Sequence, residues 1–221
     1  MRSAHSFDTS SRQISAAIAL GPGLVLQGTR MSYKRNEEIF GEGENADYVY
    51  RVVSGAVRTI CFTNDGRRQI LGFYLPGDVF GLEAGAAHSL SAEAVNDSEV
   101  ALVRRSLIET AAAQDASAAQ ALIALMQRQL QSAHEHALVL GRKGAGERVA
   151  AFLLQLCERV AARSELDLPM SRADIADYLA LTIETVSRAF TQMERDHTIA
   201  LPSSRHVILR DRSALELLEA A

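Results

Sequence analysis

Cysteine is nearly absent from this sequence: Cys61 and Cys157 are the two it holds. They stand far apart, so no disulfide framework, C-x-x-C pair or iron–sulfur ligand set can be assembled within one chain. Such sparse use suits a reducing cytoplasm, and both residues read as small packing side chains rather than redox switches. An excess of positive charge is also missing. The formal net charge is −4, which excludes a protein that coats nucleic acid through a broadly basic surface. A specific binder with one local basic face stays open. Residues 141–221 carry cations and anions in near balance, so geometry would have to sort them. No apolar run is long enough to cross a bilayer. Ile14 to Leu26 comes nearest, and Gly21-Pro22-Gly23 breaks it. No clear small-residue cleavage pattern follows that run, which argues against a signal peptide. The expectation is a cytoplasmic protein with no membrane partner.

What is present is enough for a packed fold. Hydrophobic residues make up 48% and charged residues 23% of 221 positions, which fits one large domain or two small ones. The lead-in up to Leu20 reads as loose, with a helix from Ser11 to Leu20. From about Leu24 to Val103, short runs rich in Val, Ile, Tyr and Phe alternate with glycine turns. The runs are Tyr48–Val53, Ala56–Phe62, Gln69–Tyr74, Val79–Phe80, Leu90–Val95 and Val100–Val103. Asn64-Asp65-Gly66 between two of them is a hairpin signal, because these residues tolerate positive φ. Many short strands at regular spacing predict an antiparallel barrel or jelly roll.

Glycine and proline then disappear. From Asp115 to Leu140 neither occurs, and Leu122, Leu125, Met126, Leu130, Ala133, Ala137 and Leu140 recur on one face of a long helix. A helix of that length needs a partner along its stripe. A second copy of the chain is the simple candidate, and packing against the barrel is the other. Leu122, Met126, Ala133, Ala137 and Leu140 are the candidate dimer contacts. Gly141-Arg-Lys-Gly144 interrupts the helix, and a second follows over Ala145–Arg163. The expected organisation is α+β: lead-in and barrel over residues 1–112, dimerisation helix over 113–141, and a winged helix-turn-helix over 142–221.

The helix-turn-helix rests on Ser171 through Phe190. Ser171 is a good N-cap, with Asp174 three residues on. Ile175, Ala176, Leu179 and Leu181 supply a buried face. Thr182 caps the next helix, whose Val186, Ala189, Phe190 and Met193 fall at core spacing. That leaves Glu184, Thr185, Ser187 and Arg188 exposed near its N-terminus, the end that enters the major groove in such proteins. Arg188 can fork onto guanine O6 and N7, Glu184 can accept from cytosine N4, and Ser187 can do either. Arg172, Thr182 and Thr185 are placed to hold phosphates. Ile199–Leu201 and His206–Leu209 read as a hairpin wing with Arg205 at its tip, and Ser213–Leu218 as a closing helix. The plainer alternative is that Glu184 and Arg188 form an i,i+4 pair on a solvated helix face.

The ordered whole resembles the Crp/Fnr superfamily of bacterial transcription regulators over about residues 25–212. Two further stretches carry the resemblance. Ile39-Phe-Gly-Glu-Gly43 through Ser54-Gly55 is similar to the glycine-spaced signature of cyclic-nucleotide-binding barrels. Leu140-Gly-Arg-Lys-Gly-Ala-Gly-Glu-Arg-Val-Ala-Ala-Phe152 is similar to the segment joining dimer helix to DNA-binding domain in Fnr and FixK proteins. The resemblance implies a homodimer, and Glu184-x-x-Ser187-Arg188 implies a double-stranded TTGA…TCAA palindrome as target. It also implies an activator that meets RNA polymerase. Ala180 stands where the family's turn often has glycine.

The sensor end departs from the family. No arginine stands between Leu82 and Val103, so a cyclic phosphate would lack its cation. Residues 1–60 contain no cysteine for an Fnr-type cluster. His88 is the only barrel histidine, against a haem ligand and against a cupin-type metalloenzyme, which wants several His and carboxylate ligands. No cofactor, metal or catalytic residue is therefore expected, and the chain resembles the FixK branch, tied to microoxic or nitrogen-fixation genes. The alternative function is a sensor gated by an unidentified small ligand in the barrel.

Overall fold

The structure, a computed structural model, describes residues 14–63, 65–83, 85–142, 144–160 and 164–220. The chain sorts into two compact units, Met1–Thr59 with Phe73–Met126, and Ile60–Gly72 with Gln127–Ala221.

The first unit is built on strands. They are β1 (Ile14–Gly21), β2 (Leu24–Tyr33), β3 (Glu38–Phe40), β4 (Tyr48–Ser54), β5 (Val57–Phe62), β6 (Arg68–Tyr74), β7 (Val79–Phe80), β8 (Ser91–Ala94) and β9 (Ser98–Arg104). The outer halves of β5 and β6 belong to the second unit. One sheet runs β1-β2-β9-β4-β7 and the other β3-β8-β5-β6. The expected helix up to Leu20 is a strand instead. Ile18 and Leu20 are buried while Ala17 and Ala19 are exposed, and a period of two is a strand's period. Ser11–Gln13 lie outside the described residues. Gly21-Pro-Gly23 is the turn that brings β2 back antiparallel, with Ile18 opposite Leu26.

One face of the first sheet buries Ile18, Leu20, Leu24, Val49 and Val103 against Ile108 of α1 (Arg105–Gln114) and Ala118, Ala121 and Leu125 of α2 (Ala116–Arg142). The other face gathers Tyr33, Phe40, Tyr50, Val52, Val57, Phe80 and Val100. Gly55 makes the turn after β4 at φ +81°, where a Cβ would come within 2.6 Å of the Asp97 carbonyl oxygen. Only glycine takes that conformation and that approach together.

In the second unit α3 (Ala145–Arg159) buries Val149 through Leu154, Leu156 and Cys157. It ends at Arg159, short of the expected Arg163, and residues 161–163 lie outside the described set. Strand β10 (Glu165–Asp167) follows, unforeseen in the sequence. Then come α4 (Arg172–Leu179), α5 (Ile183–Arg195), β11 (Ile199–Ala200), β12 (His206–Leu209) and α6 (Arg212–Ala220). The wing is a three-stranded sheet, β10-β12-β11.

Candidate nucleic-acid interface

Two caps and one turn set the geometry of α4 and α5. Ser171 Oγ accepts from the Asp174 backbone N–H at 3.1 Å, and the Asp174 carboxylate accepts from the Ser171 N–H at 3.0 Å. This is a reciprocal capping box with Asp in the usual Glu position. The turn hinges on Ala180, which sits at φ 52°, ψ 46° and sends its N–H to Ala176 O. Alanine here does what glycine commonly does, in a region that costs an L-residue about 1–2 kcal/mol. Thr182 caps α5, its hydroxyl accepting from Thr185 N–H at 3.2 Å. Val186, Phe190 and Met193 then point into the core.

The polar face that results is close to the one expected. Thr182, Glu184, Ser187 and Arg188 are exposed, while Thr185 is half-buried, with its hydroxyl 3.0 Å from that of Thr182. Ile183 is 48% exposed beside them, an apolar group the sequence reading passed over. The N–H of Glu184 itself, then the Thr182 hydroxyl and the charge of Arg188, hold the Glu184 carboxyl below its ordinary pKa. Glu184 is thus an acceptor only at neutral pH. Among the described residues no ion pair within 4.0 Å joins Glu184 to Arg188, although the Arg188 charge reaches the Glu184 carboxyl.

Two of the candidate phosphate contacts stand differently. The Arg172 guanidinium lies over the Phe190 ring, 3.2 Å from its centroid. Burial pushes its pKa down to about 10, and Nη1 is buried without a hydrogen-bond partner. Arg205 is exposed in the wing loop, its Nη1 3.5 Å from Pro169 O.

The C-terminal end of α4 holds residues that the sequence reading missed. Gln69 Nε2 donates to Asp177 O at 2.5 Å, His136 Nε2 to Tyr178 O at 2.9 Å, and Arg148 Nη1 to Leu179 O at 2.9 Å. The His136 ring also stacks on Tyr178 at 4.0 Å between centroids. Burial lowers the His136 pKa, with the Tyr178 carbonyl acting the other way. These partners are 108, 42 and 31 residues away from their acceptors, so no local pattern announces them.

Along α2, Met126, Ala133 and Ala137 are exposed, and Leu122 and Leu140 are half-buried. Leu122 packs partly against the core of the first unit. Ile123 and Leu130, absent from the expected contacts, are 54% and 57% exposed. Together Ile123, Leu130 and Ala137 alternate with Met126, Ala133 and Leu140 in a heptad.

Aromatic rings gather in one core of the barrel. Phe40 lies 5.0 Å from Tyr50 and 3.6 Å from His88 between centroids, and Phe80 lies 5.2 Å from Tyr50. The buried Arg58 is engaged by Glu93 and by Asn36 Oδ1. Outside this interior, Arg30 and Arg51 both pair opposite Ala101. They line a cleft of about 310 Å³ with Ile18, Pro76 and Gly77. Glu99 takes Arg30 Nη1 at 3.3 Å, while Arg30 Nε is buried without a hydrogen-bond partner. No described helix is long and apolar enough to cross a membrane.

Comparison with known proteins agrees with this geometry. Residues 147–218 match the Crp-like helix-turn-helix domain, and residues 30–115 match the cyclic nucleotide-binding domain. The nitrogen fixation regulation protein FixK of Azorhizobium caulinodans is 49% identical over 96% of this chain and 85% of its own length. FixK of Rhizobium meliloti is 44% identical over 90% of this chain and 92% of its own. The solved structure of FixK2 from Bradyrhizobium japonicum aligns with a TM-score of 0.85 at 51% identity, over 89% of this chain and 99% of that one. A barrel-type domain, a long helix and a capped helix pair thus stand in the order that these matches carry, and the chain belongs to the Crp/Fnr family of DNA-binding transcription regulators, among the FixK proteins.

Proposed function

We propose that two copies of this chain pair along the heptad of α2 and present two α5 helices to successive major grooves of a TTGA…TCAA palindrome. A dimer of this kind needs half-sites about one helical turn apart, roughly 34–36 Å. Arg188 reads guanine through its fork, Glu184 accepts from cytosine N4, and Ser187 serves either partner. Thr182, Thr185, Arg172 and Arg205 hold phosphates, Arg172 after its guanidinium leaves the Phe190 face. The observation that carries this reading is the exposed trio of Glu184, Ser187 and Arg188 on the first two turns of a capped helix. The bound dimer activates transcription from the cytoplasm by meeting RNA polymerase. Its genes are those of nitrogen fixation or microoxic life, as the names of the FixK relatives suggest.

Regulation through protein amount, with no cofactor, is supported by the packed rings of the barrel core. Phe40, Tyr50, Phe80 and His88 pack on one another there. Footprinting on a TTGA palindrome with purified, ligand-stripped protein tests both points. Protection of both half-sites by a dimer supports them, and no protection on that duplex sinks the palindrome. A second reading, an effector-gated sensor, is favoured by the cleft beside Arg30 and Arg51, whose paired cations suit a small anion. DNA binding that appears only when cell extract of small molecules is added back would favour it, and full-strength binding without them would remove it.

A further inference from the structure

Helix α4 ends with carbonyls that have no acceptor role inside the helix, the common condition of a helix C-terminus. Side chains from three elements of the second unit meet them, and one of those, Gln69, has a more consequential neighbour. Arg68 Nε donates to Asp177 Oδ2 at 2.8 Å, and Arg68 Nη2 reaches Asp174 Oδ1 at 2.8 Å and Asp177 Oδ2 at 2.7 Å. One guanidinium therefore holds two carboxylates on one turn of α4. The Asp174 side chain is only 7% exposed, and its other oxygen already closes the capping box with Ser171. Removing Arg68 takes a guanidinium away from this buried carboxylate, a costly change. Asp177, at 30% exposed, becomes an uncompensated negative charge on the helix that braces α5, where a polyanion has to approach.

We infer that Arg68 is a positioning residue for DNA recognition, acting through Asp174 and Asp177 of α4 rather than by touching DNA. It fixes the turn of α4 from which the Ala180 corner and α5 continue. It also cancels negative charge that would oppose phosphate. The donors that matter are aimed at carboxylates, so losing them removes no protein–phosphate contact. The inference rests on DNA recognition by α5 and not on any particular target sequence.

The test uses the full chain and a duplex enriched from a random pool by the wild-type protein, so it stands whether or not that duplex is a TTGA palindrome. Affinity is measured over a salt series for wild type, R68A, D177N and R68A/D177N. We expect R68A to bind about tenfold more weakly, with an unchanged slope of affinity against salt. Adding D177N should recover at least about threefold of that loss, because it removes the charge Arg68 had balanced. R68A within about twofold of wild type overturns the inference. So does a slope reduced by about one unit with no recovery from D177N, which is the signature of a direct phosphate contact. Should R68A fail to fold by circular dichroism, R68Q and R68Q/D177N carry the same comparison, with weaker binding and recovery expected. Equal affinity of R68Q and wild type then overturns it.

Discussion

The barrel and the α5 surface use polar groups in opposite ways. In the barrel, the buried Arg58 is engaged by Glu93 and Asn36, while aromatic rings gather in a core that Val57, Ala92 and Ala94 share. On α5, Glu184, Ser187 and Arg188 face solvent, and no ion pair joins Glu184 to Arg188 among the described residues. A group already bonded inside the protein has little to offer a ligand, whereas an exposed one can trade water for a partner. The contrast teaches that polar side chains in one protein can be closed on each other in one region and left to solvent in another.

Substitutions can break that contrast. The largest effect is expected from Phe80→Ala, which empties a ring with no exposed surface and should cost about 3–5 kcal/mol of stability. The variant's remaining folded fraction should keep wild-type base preference, measured by competition between duplexes. A changed preference would give the barrel a part in reading. Arg188→Ala should do the reverse. We expect a loss of about 1–3 kcal/mol in binding, with relaxed choice at one base pair. Thermal unfolding should stay within about 0.5 kcal/mol of wild type. Equal binding of wild type and variant to a TTGA palindrome would remove Arg188 from the reading face. Ala180→Gly should raise stability by up to about 1 kcal/mol, because glycine reaches the left-handed turn without its Cβ conflict. A lower melting temperature would mean that the turn is held by the alanine methyl.

The smallest effect concerns pH. Burial lowers the folded-state pKa of His136 below its ordinary value. An unfolded histidine titrates near about 6.5, so below that pH the unfolded chain takes up a proton the folded chain refuses. The stability contributed by neutral His136 is therefore full above about pH 6.5 and is lost as pH falls toward the folded pKa. His136→Phe should melt below wild type at pH 7, having lost the bond to Tyr178 O. The gap should narrow by pH 5, and a gap that stays constant would show that His136 does not titrate in that window.

Legibility in the sequence followed the range of the forces involved. The α4–α5 pair was readable because caps, core spacing and turn residues all act within a few positions. Ser171, Thr182, Val186 and Phe190 each stand where their chemistry requires. The first strand was misread because Ile14–Gly21 is short and apolar, and only pairing with β2 settles its period. Of the apolar heptad positions on α2, Met126, Ala133, Ala137 and Leu140 were among the expected contacts, whereas the exposed Ile123 and Leu130 were not, because exposed and core-facing residues of this helix are equally apolar. The clamp on α4 left no trace at all. Arg68 lies 106 residues from Asp174, and nothing near either residue marks the pair.

The stretch of α2 in the second unit has two unlike sides. Ala133 and Ala137 are exposed, while the buried His136 ring is stacked on Tyr178 and bonded to its carbonyl. Side chains stand roughly 5 Å from a helix axis, so turning α2 by about 20° would swing that ring by nearly 2 Å. A hydrogen bond does not survive such a displacement. A turn of α2 about its own axis would therefore be felt at the C-terminal end of α4, where this imidazole is one of the side chains that meet the helix.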